Sequence, residues 1–159
     1  MSMQVVVPAE FAPGSADPVK GSWLIRYRLT RCGETKVDNA LFTARDGGVP
    51  TVQPSFPGTS LANPILLRDA MRQAALLARN FGPDKDCKAL AMADMQVSAP
   101  PHEVTEGDKV FKGVWDELWT FSQCGKSVGV SMHFTPSLDG SGIDFQAGTA
   151  TQKPATAAP

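Results

Sequence analysis

The sequence predicts an α+β domain, an antiparallel β-sheet built from two related hairpins with one intervening α-helix at about 64–81 packed on one face. Three observations carry this. "PILLRDAMRQAALLARNF" at 64–81 places apolar residues at helical spacing. Four other stretches alternate apolar and polar residues with period two, the mark of half-buried antiparallel strands. "CGETKVDNALFT" at 32–43 aligns without gaps with "CGKSVGVSMHFT" at 124–135, one on each side of the helix.

Taken in order, residues 1–20 are rich in Pro, Ala and Gly and read as a flexible N-terminal arm, holding at most one edge strand at "VVV". Residues 22–31 put Trp23, Ile25, Tyr27 and Leu29 on one face and Leu24, Arg26, Arg28 and Thr30 on the other. In the helix, Asn63 is placed to cap and Pro64 fits the first helical position, where no N–H is needed. Leu67, Ala70, Met71, Ala74, Leu77, Ala78 and Phe81 make its apolar face, and Gly82 with Pro83 stop it. Residues 88–97 put Ala89, Ala91, Ala93, Met95 and Val97 on one face. Residues 110–123 do the same with Phe111, Trp115, Trp119 and Phe121, and residues 128–135 with Val128, Val130, Met132 and Phe134. A loop at 124–127 would set Trp119 opposite Met132, Phe121 opposite Val130, Glu117 opposite Phe134 and Trp115 opposite Pro136. A two-residue loop at Cys124-Gly125 keeps the same parity. The tail from 148 to 159 is small, Pro-containing and nearly uncharged, and reads as disordered. Residues 21–147 are thus taken as a single domain.

A net charge of −1 with no Lys/Arg cluster excludes a nucleic-acid-binding class. No apolar run has the length of a transmembrane segment. The N-terminus has no charged region followed by a long apolar one, so either the protein is cytoplasmic or a removed signal precedes it.

Cys32, Cys87 and Cys124 form no CxxC pair, which argues against zinc. A hairpin joining strand 88–97 to strand 110–123 places residue 87 opposite residue 124, so Cys87 and Cys124 are the disulfide candidates and Cys32 is left over. The alternative is three thiols in a cytosolic protein. A catalytic pair of Cys32 with His102 or His133 has no support from spacing. Met92, Met95 and Met132 differ in parity, "RDGG" and "DGSG" are turns, and neither metal nor cofactor is expected.

The run at 115–142, Trp-rich strand, Cys-Gly turn, Phe-Thr-Pro and Gly-rich turn, resembles a segment of small exported proteobacterial proteins of uncharacterised function. The resemblance covers about a fifth of the chain. It implies an envelope location, hence periplasmic, and a small α+β domain, and it carries no catalytic residues.

In "WDELW", Glu117 shares the parity of Trp115 and Trp119 and points into an apolar face. Desolvation there raises a carboxyl pKa, which is how a general acid is made. The plainer reading is that the face opens at this point, or that Glu117 pairs with Arg26 or Arg28 where the hairpins adjoin. One helix cannot cover a many-stranded sheet, so part of its apolar face needs a second layer, a partner or a ligand. Trp115, Glu117, Trp23 and Tyr27 are the candidate binding residues, with Trp115 the less covered ring. The expected function is a non-enzymatic binding or accessory module of the bacterial envelope, engaging a hydrophobic small molecule or a protein partner. The alternatives are a small hydrolase- or isomerase-like enzyme using Glu117 with a histidine, and a structural homodimer.

Overall fold

The computed structural model describes residues 1–82 and 86–153. In chain order the elements are β1 (Ser2–Phe11), β2 (Pro18–Arg31), β3 (Glu34–Arg45), β4 (Gly48–Pro54), α1 (Pro64–Phe81), β5 (Leu90–Glu106), β6 (Lys109–Gln123), β7 (Lys126–Pro136) and β8 (Ile143–Lys153). They make two antiparallel sheets of four strands, ordered β1-β2-β3-β4 and β5-β6-β7-β8. The class is α+β, though mostly β, with 64% of residues in strands. The sequence reading took 21–147 as one domain; the chain divides into two compact units, Met1–Gly58 and Thr59–Pro159.

Residues 1–20, read as an arm, contain β1 and the start of β2. Pairing with β2 gives the β1 backbone the hydrogen-bond partners that an arm would seek in water. β8 likewise takes in residues 148–153 of the expected tail. Its small side chains are a packing feature, because α1 lies chiefly against β8 and also contacts β7 and β6. The rest of the expected tail, 154–159, lies outside the described residues.

The Cys-Gly echo is a pair of equivalent hairpins. Cys32 and Gly33 have φ of 51° and 79°, and Cys124 and Gly125 have 47° and 80°. Positive φ at both central residues is the type I′ turn, whose twist matches that of the flanking strands. Arg31 pairs with Glu34 and Gln123 with Lys126, closing both turns at two residues. The equivalence extends up the strands. Trp23 pairs with Phe42 and stacks on it at 5.9 Å, and Trp115 does the same with Phe134 at 4.7 Å. The spacing of Trp, Cys-Gly and Phe is identical in both.

The two-residue turn shifts the second hairpin from the four-residue loop expectation without changing parity. Trp119 faces Val130, Phe121 faces Val128, Glu117 faces Met132 and Trp115 faces Phe134. In β5 the register shifts between Met92 and Asp94. That bulge turns Met92, opposite Phe121, onto the face of Met95, opposite Trp119, whereas Ala91 lies opposite Ser122. The uniform alternation expected over 88–97 is therefore broken.

In α1, Asn63 accepts hydrogen bonds from the amides of Ile65 and Leu66 and Pro64 opens the helix. Gly82 is extended, not left-handed. It is needed for proximity, since a Cβ there would overlap the Gln123 side chain. The buried stripe is Leu67, Ala70, Ala74 and Ala78. Leu77 is only half-buried and Phe81 is exposed, so the apolar face is narrower and smaller-stepped than the sequence suggests. Alanines at the contact bring the helix backbone close to the sheet. Ala74→Leu is accordingly expected to destabilise by about 1–3 kcal/mol through overpacking, although Leu is an excellent helix former. A thermal melt no lower than that of the parent would show that this contact has slack.

Candidate functional site

The second unit holds the "WDELW" residues on the helix-covered side of its sheet. β6 alternates strictly from Trp115 to Gln123, so Trp115, Glu117, Trp119 and Phe121 all point inward. Trp119 and Glu117 are fully buried, and Trp115 is 5% exposed. Phe134 stacks on Trp115 with an interplanar angle of 6° and contacts Trp119 at 6.2 Å.

Glu117 is at the centre of a clasp. Its Oε1 accepts hydrogen bonds from the Trp115 indole N–H at 2.8 Å, the Leu61 amide at 2.8 Å and the Ser60 hydroxyl at 2.9 Å. Its Oε2 accepts from the Trp119 indole N–H at 2.8 Å. Indole and amide nitrogens can only donate, so the carboxylate acts there as acceptor. Ser60 Oγ also accepts from the Ala62 amide, which continues the clasp to the residue before the N-cap of α1. A further bond, from the Thr59 amide to the Met95 carbonyl at 2.6 Å, ties the same segment to β5. Residues 59–62 are thus stitched to the sheet just before the helix starts.

Glu117 does point into the apolar face, but its partners are two indoles, a hydroxyl and an amide, in place of the expected arginine. In the first unit, Arg26 Nε donates to Asn39 Oδ1 at 3.1 Å. Trp115 was expected at a thinly covered end opposite Pro136; it is instead buried on Phe134. The structure does not bring Glu117 and a histidine together. His133 lies opposite Asp116, on the other sheet face, and its Nδ1 is 2.6 Å from Asp116 Oδ1. His102 is exposed on β5, with its Nδ1 2.9 Å from the Pro100 carbonyl. Among the described residues no group of three His, Cys, Asp or Glu is placed to hold a metal.

Cys87 and Cys124 are disulfide-bonded with Cα atoms 6.0 Å apart, as the hairpin geometry predicts, and Cys32 is free and exposed. A cavity of ≈ 410 Å³ next to Cys32 is lined, among the described residues, by Leu29, Arg31, Cys32, Glu34, Lys36 and Asp38. That lining includes no histidine to activate the thiol.

Trp23 and Tyr27 lie on one face of β2 in the first unit. Trp23 is half-buried and stacked on Phe42, and Tyr27 lies opposite Asp38. Their face carries two apolar rows across the sheet. One runs Val5, Trp23, Phe42, Val52 and the other Met3, Ile25, Ala40, Pro54. Met3, Val5 and Val52 are each more than half exposed. Sequence reasoning missed Met3, Val5 and Val52 because it placed β1 in an arm and made no assignment for β4. The "VVV" run was the available signal.

The three tryptophans therefore divide differently from the sequence expectation. Single-Trp variants should show Trp115 and Trp119 both shielded from acrylamide and Trp23 the more quenched. Trp115→Ala should destabilise about as much as Trp119→Ala, about 3–5 kcal/mol each, because both truncate buried rings. A Trp115 ring quenched as readily as Trp23 would restore it as a surface residue.

No family model matches the chain, and neither a curated protein nor a solved structure matches it.

Proposed function

We propose that this protein is a non-enzymatic binding or accessory module that engages a hydrophobic small molecule or an apolar protein segment through the sheet face of its first unit. The observation that carries the reading is the Val5–Trp23–Phe42–Val52 row, an aromatic stack flanked on both sides by valines more than half exposed. An apolar strip of this kind lowers its free energy by gaining a cover, at about 25 cal/mol per Å² buried. Trp23 is the anchor; Tyr27, four residues along on the same face, supplies a ring with a polar end. Trp115 and Glu117 serve this function only by holding the second unit together.

The Cys87–Cys124 bond supports a location in the bacterial envelope, since such bonds persist in oxidising compartments. Protein recovered from its own cells should then alkylate at Cys32 alone, and alkylation at all three cysteines would place it in the cytoplasm.

The binding reading is tested by amide chemical-shift mapping with the apolar probe anilinonaphthalene sulfonate. Saturable shifts centred on Val5, Trp23, Phe42 and Val52, abolished by Phe42→Ser in a folded variant, support it. No saturable shifts, or shifts centred on Trp115 and Glu117, contradict it.

A further inference from the structure

We infer that β1 is a self-association edge, at which a second copy of this chain adds its own β1 antiparallel and joins the two first-unit sheets into one of eight strands. β1 ends its sheet, so among the described residues one row of its backbone N–H and C=O groups has no strand beside it. Such edges are usually guarded by charge, proline, bulges or small size. The other three edges here have guards. β4 is short and carries Pro50 and Pro54. β5 has Pro100, Pro101 and several register shifts. β8 carries a charge at Asp144, and among its described side chains no large hydrophobic residue is strongly exposed.

β1 carries such guards only in its second half, with Pro8, Glu10 and three register shifts, and its first residues, Ser2–Val5, have none of them. Residues 1–9 include no charged side chain, and Met3, Val5 and Val7 are each more than half exposed. Its pairing with β2 is regular from Ser2 to Val5, and Pro8 and the first register shift lie beyond that stretch. The occupant follows from this charge pattern. In an isologous pairing every side chain near the axis meets its own kind, so any charge there would repel itself. An axis through Gln4 sets Gln4 beside its twin, Met3 opposite Val5 of the other copy, and Ser2 opposite Val6. The Met3–Val5 contacts fall on the face that carries Ile25 and Trp23. The Gln4 side chains, on the opposite face, can hydrogen-bond to each other. Both copies gain ladder bonds and cover apolar side chains, with no like-charge cost.

This inference does not rest on the binding reading. Edge pairing uses the β1 backbone and leaves Phe42 and Val52 in place, so a monomer that binds the probe and a dimer that does not are separate outcomes.

The test uses the whole chain. Sedimentation velocity over a dilution series should show a species of twice the 16.9 kDa chain mass that dissociates on dilution. Val5→Lys should shift it to monomer while keeping the parental circular dichroism, because that side chain is exposed. In a Cys32→Ser background, Gln4→Cys should form a disulfide-linked dimer under mild oxidation, and Val49→Cys on β4 should not. A monomer at every concentration overturns the inference. So does a dimer that survives Val5→Lys and fails to cross-link through Gln4→Cys, which would place its interface elsewhere.

Discussion

Glu117→Ala is expected to be among the most damaging single substitutions in the second unit, at about 3–5 kcal/mol. The carboxylate is fully buried and accepts from Trp115, Trp119, Ser60 and Leu61. Its removal takes the acceptor from two buried indole N–H groups and from the Leu61 amide. Each such donor costs about 1–3 kcal/mol, and the cavity adds to that. Glu117→Gln separates charge from shape. It keeps one carbonyl oxygen but presents an amide NH₂ to donors, a donor-to-donor conflict worth about 2 kcal/mol. Urea denaturation followed by circular dichroism measures both. Equality of Glu117→Gln with the parent would mean that the indoles find other acceptors.

Opening the Cys87–Cys124 bridge should have a comparably large effect. The cysteines are 37 residues apart in sequence. Closing a loop of that length removes unfolded-chain entropy equivalent to about 3–4 kcal/mol. Cys87 precedes β5, and Cys124 sits in the β6–β7 turn, so the bridge pins the start of the edge strand to the next hairpin. Cys87→Ser should lower the denaturation midpoint with the fold retained, and reductant should do to the parent what it no longer does to the variant. A midpoint insensitive to reductant would show that the sheet alone fixes this end.

How far the sequence disclosed this structure depended on the range of the interaction. Helix 64–81 carried its own cap, its own stripe and its own stop, and its bounds were legible. The Cys-Gly turns were legible as hairpin tips because left-handed backbone favours few residue types. Parity in β6 and β7 was legible too, and it sent Glu117 inward correctly. Register was not, because a four-residue and a two-residue loop bury the same face. The bulge after Met92 left no mark in composition. The second half of β8, from residue 148, was read as tail because Ala150 and its neighbours look like low complexity; the strand they belong to lies against α1. The acceptor role of Glu117 depended on Ser60, 57 residues upstream, and no periodicity connects the two. The same limit moved the candidate site. Trp115 looked exposed from the end of its strand and is covered, whereas β1 looked like an arm and presents an apolar edge.

The central claim is that "WDELW" holds the second unit together and that the most accessible of the three tryptophans is Trp23, on the first unit. Hydrogen–deuterium exchange of the three indole N–H groups, followed by nitrogen-edited NMR, tests it most directly. Trp115 and Trp119 donate to a buried carboxylate, so both should exchange slowly, by opening of the second unit, and both should speed up together in Glu117→Gln. Trp23 should exchange first. A Trp115 indole that exchanges as fast as Trp23 while Trp119 stays protected would contradict the clasp and return Trp115 to the surface.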